Sequence, residues 1–199
     1  MEKMVINKDK YDFLHFITYG NVINNYDTAV AKAYLDVCRT IRGFGKVKNK
    51  EEIKLVTSKL IAERTKAIIE SKTMNQLNFD SWHRKTCVDL VEIFFKHNII
   101  FSIGQGQKWI NMTFKNLYIL DESGVTDHII SFLHIPIDNY ILEEAKSLDG
   151  FIEFDTAWSK IESYDRYLEF QKWFASMWNI PPFKKELSMW IESAIKITK

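Results

Sequence analysis

Ile103-Gly104-Gln105-Gly106-Gln107-Lys108-Trp109-Ile110-Asn111-Met112 sets the reading of the whole chain. After Gly106, neither glycine nor proline interrupts the sequence as far as Leu120. Gly104-Gln105-Gly106 reads as a turn, and a helix is expected from about Gln105 to Leu120. Outward from there the pattern repeats. The chain of 199 residues holds three prolines and seven glycines, and most windows carry apolar residues three and four apart. An all-α fold is expected, as a single globular domain of about eight helices over residues 1–199.

The expected helices cover 8–24, 27–42, 50–72, 80–97, 105–120, 125–133, 136–148, 156–179 and 183–197. Asp27 is a suitable N-cap for the second, and Gly43 and Gly45 end it. Ile53, Val56, Leu60, Thr65 and Ile68 give the third an apolar stripe. Asp80 or Ser81 is the expected cap of the fourth. The apolar run 98–103 is too short to separate strand from turn, and the following glycines favour a turn. Pro136 suits the first turn of a helix, and Asp121-Glu122-Ser123-Gly124 reads as a loop.

Hydrophobic residues make up 46% of the chain, enough for a core, and aromatics 14%, which need a core, groove or interface to cover them. Net charge is +1. Any nucleic-acid surface must therefore come from local clustering, since phosphate neutralisation drives such binding. The most basic local stretch is Arg39, Arg42, Lys46, Lys48 and Lys50, around Gly43-Phe44-Gly45. Cys38 and Cys87 sit in apolar helical patterns without a C-x-x-C partner and read as free thiols. His128 and His134 are six apart, and no helical metal-binding pair occurs, so neither metal nor cofactor is expected. No run is long enough to span a membrane. Met1-Glu2-Lys3-Met4-Val5 lacks a signal-like apolar run, so cytoplasmic placement is expected.

Two glycines before a helix let backbone approach a ligand. The unpaired N–H groups of the helix start then favour an anion, most often phosphate. Lys108 adds a cation, and Asp138 follows thirty residues later in Pro136-Ile137-Asp138-Asn139-Tyr140-Ile141-Leu142. These two segments resemble the helix-hairpin-helix DNA glycosylases, whose hairpin has the form G-x-G-x-K. Some members use that lysine as nucleophile and place a catalytic aspartate at the start of a downstream helix. The resemblance covers about forty residues. It implies a helical fold, DNA as partner, Lys108 and Asp138 as catalytic residues, and Gly104, Gly106, Gln107, Lys108 and Asn111 as nucleic-acid contacts. The chain departs from the pattern at Ser102-Ile103, where the family carries Leu-Pro, and at the bulky Trp109 and Ile110. Its lysine–aspartate separation is also longer.

Under this resemblance a binding role ranks ahead of catalysis. The competing reading makes Gly104 and Gly106 an interhelical turn, Lys108 a surface lysine and Asp138 a helix cap, with Gln107 and Asn111 bonding across helices. A rival function is protein interaction through an aromatic-lined surface of the C-terminal helices, drawing on Trp158, Trp173, Trp178 and Trp190. One geometric condition separates the readings: chemistry requires Lys108 and Asp138 to share one cleft.

Overall fold

The computed structural model describes residues 10, 13, 16–18, 25–71, 73–120 and 126–197. Among them the fold is all-α, with seven α-helices and no strand: α1 (Asn25–Val37), α2 (Lys50–Glu70), α3 (Gln76–Phe95), α4 (Ile103–Leu120), α5 (Asn139–Ala145), α6 (Tyr164–Ser176) and α7 (Pro182–Ile197). Short 3-10 turns lie at Cys38–Thr40, Phe44–Lys46 and Trp158–Lys160. The helix expected over 8–24 falls largely outside the described residues, and the loop 121–124 wholly so.

α4 is the axis of the molecule. Most of its residues are buried, from Ile103 to Leu120, including two lysines. A helix buried on all sides must supply every polar side chain with a partner, because an unpaired buried polar group costs about 1–3 kcal/mol and a charged one more. α1 packs along it. Trp109 donates from Nε1 to the Val30 carbonyl at 3.0 Å, Asn116 donates to the Ala29 carbonyl at 3.2 Å, and the Trp109 ring lies 5.1 Å from that of Tyr34. On another side Phe79, His83, Cys87, Leu90 and Phe94 of α3 close the core. α2 covers the outside and is tied to α3 by the Arg64–Asp89 ion pair.

Several boundaries differ from the sequence expectation, each for a local reason. α3 begins at Gln76 because Asn75 is its cap, accepting from the Asn78 N–H at 2.9 Å. Asp80, expected as a cap, is instead buried inside the first turns. The stripe of α2 runs Ile53, Thr57, Ile61, Thr65 and Ile68, while Val56 is exposed. Thr57 is tolerated inside because its hydroxyl bonds back to the Ile53 carbonyl at 2.8 Å. Residues 126–132 form turns, not a helix. Pro136 lies in an extended segment, and α5 starts three residues later, capped by Asp138. α6 starts only at Tyr164, where Ser163 accepts from the Arg166 N–H at 3.2 Å. Cys38 and Cys87 are free; Cys87 is buried and Cys38 half-buried. No described helix is long and apolar enough to cross a membrane.

Candidate functional site

Gly104 and Gly106 lie inside the first turns of α4, not in a loop between two helices. The N–H groups that would face an anion are already used. Gly104 donates to the Ile161 carbonyl at 2.9 Å, Gln105 to Ser102 Oγ at 3.1 Å and Gly106 to the Ser102 carbonyl at 3.0 Å. Gln105 Oε1 accepts the Ser102 N–H in return, at 2.9 Å, a reciprocal cap. Gly104 is required for packing. A Cβ there would sit 1.8 Å from the Trp158 carbonyl oxygen, so only glycine lets the 3-10 turn at Trp158–Lys160 approach. Gly106 is less constrained, with Cys87 at ordinary contact distance. This arrangement replaces the expected phosphate-gripping turn with a closed helix start.

Gln107 and Asn111 are fully buried. Gln107 Nε2 donates to the Ile137 carbonyl at 3.0 Å and its Oε1 accepts the Ile137 N–H at 3.2 Å. Two residues earlier, Gln171 of α6 forms the same two bonds with Ile135, at 2.8 and 2.9 Å. Among the described residues no strand lies beside the segment around Pro136, so these two side-chain amides take the place of a ladder. Asn111 donates to the Ile135 carbonyl at 3.0 Å and to the Tyr167 hydroxyl at 2.9 Å, and accepts from His83 Nε2 at 3.0 Å. Gln107 and Asn111 therefore serve the core and meet no ligand surface here. Their effect on the site is to fix where Asp138 falls.

Asp138 divides its carboxylate between two tasks. Oδ1 accepts the Ile141 N–H at 3.0 Å and caps α5; Oδ2 accepts from Lys108 Nζ at 2.6 Å. Both side chains are buried, at 6% and 12% exposure, so Lys108 is no surface lysine. Lys108 and Asp138 thus share one cleft, of about 490 Å³, whose walls include Asp36 of α1, Arg39 of the 3-10 turn that follows it, Met112 and Lys115 of α4, Tyr140 of α5 and Trp190 of α7. Lys115 lies seven residues from Lys108 and so on the same face of α4. Its Nζ bonds both oxygens of Glu186, at 2.8 and 2.9 Å, and lies 5.3 Å from the Trp190 ring centre. Burial raises the Glu186 carboxyl above its usual range, and Lys115 only partly offsets it. Asp36 is raised for the same reason, burial first, against the pull of Lys108 and Lys32.

Some of these groups escaped the sequence reading. Lys115 carried a legible signal, being a second lysine one heptad beyond Lys108 on the same helix. Asp36 and Glu186 carried none, since each looks like a solvated acid in its own helix. Most of the C-terminal aromatics, Trp158, Tyr164, Tyr167, Phe170, Phe174 and Phe183, are core; Trp190 stays over a third exposed on the cleft wall. Arg39 is the member of the basic stretch that lines the cleft. No group of three or more His, Cys, Asp or Glu among the described residues is arranged to hold a metal.

A second polar cluster was also missed. His83 and His134 lie 4.8 Å apart, ring to ring, with Tyr164, Tyr167 and Asp80 around them. Burial pushes both imidazoles below their ordinary value, His83 strongly. The same burial pushes the Tyr167 hydroxyl and the Cys87 thiol well up. The only sequence signal was that His83 falls on the same helical face as Phe79 and Cys87.

Comparison with models of known families, with curated proteins and with solved structures finds no match to this chain.

Proposed function

We propose that the Lys108 cleft receives a nucleotide unit drawn out of a nucleic acid, the role that the resemblance to helix-hairpin-helix DNA glycosylases implies, although Gly104 and Gly106 lie within α4 rather than in a hairpin. The reading is supported by one observation above others: Lys108 Nζ and Asp138 Oδ2 lie 2.6 Å apart on the wall of a cleft that also presents an aromatic face. An extruded base needs a flat apolar surface to replace its stacking, and its phosphate needs a cation. Trp190 and Tyr140 offer the first; Arg39 offers the second. The contact set differs from the one expected from the G-x-G-x-K resemblance, because the amides at Gly104 and Gly106 are occupied.

Within this reading, binding is the primary role and Lys108 is the group that meets the sugar. Transfer of its proton to Asp138 leaves a neutral amine, a nucleophile in a desolvated site. With an abasic sugar the amine adds to C1′ of the aldehyde, water leaves, and an imine links Lys108 to the DNA. Asp138, held by its cap bond, returns the proton to the departing hydroxyl, which leaves as water, and its carboxylate then faces the positive charge of the iminium.

The test is binding of a labelled abasic-site duplex at low salt, followed by borohydride, which reduces the imine to a stable amine. Saturable, salt-sensitive binding is expected, with a covalent adduct for the unmodified protein and none for Lys108→Ala. Binding without an adduct limits the cleft to recognition. Absence of binding at low salt, together with a stable complex with a protein partner, replaces this reading by the protein-interaction one.

A further inference from the structure

Away from the Lys108 cleft lies a second cavity, of about 570 Å³, between the first turns of α3, the 131–134 segment, one face of α6 and the link 179–182. Its walls are largely apolar, from Phe132, Leu133, Leu168, Trp178, Ile180 and Pro181. Among the described residues that line it, Asp80 and Lys172 are the charged ones.

Asp80 is 7% exposed. Its Oδ1 accepts from Gln76 Nε2 at 2.8 Å and from His134 Nε2 at 3.0 Å. A carboxylate only accepts, so the His134 proton sits on Nε2, and Nδ1 accepts from the Tyr167 hydroxyl at 3.0 Å. Both ring nitrogens are thus taken. Burial raises the Asp80 carboxyl, but the bonds from His134 and Gln76 outweigh it and hold the group below its ordinary value. Burial also keeps His134 neutral, so it does not cancel the carboxylate's charge. Oδ2 accepts from no described residue, and it is not sealed into the protein. An anionic oxygen in a largely buried side chain calls for a donor. Lys172 is exposed, makes no ion pair with a described residue, and favours the charged form of Asp80 from across the cavity.

We propose that this cavity binds a free amino acid with an apolar side chain, its ammonium on Asp80 Oδ2, its carboxylate toward Lys172 and its side chain against the apolar wall. The charge pattern selects this class. A simple cation meets Lys172, a simple anion meets Asp80, and a nucleotide carries more negative charge than one lysine balances. A zwitterion matches both ends. The site is independent of the Lys108 cleft and of any nucleic-acid role.

Calorimetric titration of the full chain with leucine, phenylalanine and tryptophan tests the proposal, using the N-acetyl and methyl ester forms of each as controls. At least one amino acid binds, and its N-acetyl form, which lacks the ammonium, binds roughly tenfold to a hundredfold more weakly. Asp80→Asn keeps the acceptor for Gln76 and His134 and produces a loss of the same order. Lys172→Gln weakens the amino acid several-fold and leaves the methyl ester unchanged. The proposal is overturned if none of the three binds at up to about 10 mM, a range in which millimolar affinity is still readable. It is equally overturned if the N-acetyl form binds as tightly as its parent, or if folded Asp80→Asn binds unchanged. Should Asp80→Asn fail to fold, the comparison of ligand forms decides alone.

Discussion

Two faces of α4 solve the burial of polar groups in opposite ways. On one, Gln107 and Asn111 meet neutral donors and acceptors, in a closed network with Ile135, Ile137, His83 and Tyr167. On the other, Lys108 and Lys115 meet carboxylates, and an open cleft lies beside them. Neutral amides can satisfy one another completely, so their face packs shut. An ammonium–carboxylate pair leaves lone pairs and N–H groups over, and its desolvation costs several kcal/mol per ion. Such a pair is weak evidence for stability and stronger evidence for a site, especially beside a cavity. The neutral face orients; the charged face is where a ligand gains most.

The comparison breaks first at Asp138. Asp138→Ala removes the partner of a buried lysine, costing about 3–5 kcal/mol, and a helix cap as well, worth about 1 kcal/mol. Asp138→Asn keeps the cap and isolates the pair. Denaturant unfolding of both variants measures the division: equal losses in the two would show that the pair, not the cap, dominates, and a near-neutral Asp138→Asn would show the reverse. Next comes Gly104→Ala, whose Cβ would enter the Trp158 carbonyl. A loss of about 3 kcal/mol is expected from overpacking, and a stable variant would mean that the 3-10 turn at Trp158–Lys160 can move away.

On the neutral face, Asn111→Ala leaves His83 Nε2 and the Tyr167 hydroxyl short of a partner, for about 2–3 kcal/mol. If that loss matches or exceeds the loss in Asp138→Asn, the ranking of the two faces reverses. Acid sharpens the contrast further. His83 and His134 are both lowered below the ordinary imidazole value of 6.5 by burial. The unfolded chain therefore binds more protons than the folded one as pH drops below about 6.5, so their contribution is complete above that pH and is lost on acidification. A thermal melt series should show the midpoint falling from pH 7 to 5, and replacing His83 with Gln should flatten the fall. The smallest effect on stability belongs to Trp190→Ala, under about 1 kcal/mol for a partly exposed ring. Its measurable consequence is weaker binding in the Lys108 cleft, and unchanged affinity for abasic DNA would remove Trp190 from the stacking role.

That α3 and α7 are helices was legible, but not which face each one buries: in α7 Phe183, Glu186 and Met189 are buried, whereas Trp190 and Ile191 are exposed. Helix boundaries were misread where a polar side chain did something other than cap. Asp80 looked like a cap because aspartate before an apolar run often is one, yet its carboxylate is drawn inward by His134. Pro136 looked like a first-turn proline, yet Gln107 and Gln171 hold its neighbours extended. Both misreadings come from partners thirty or more residues from the groups they bond, which no local pattern records.

By itself the sequence determined the helical class, through the scarcity of proline and glycine and the three-and-four spacing of apolar residues. It also isolated Lys108 and Asp138 as the pair to watch. Only the tertiary structure decided that Gly104 serves close packing, that Gln107 and Asn111 belong to the core, and that Lys108 reaches Asp138 across thirty residues of chain. The physical reason is one of range. Helical propensity and periodicity are carried by neighbours within a few residues, whereas a buried polar group is defined by the partner that satisfies it, and that partner is brought by the fold.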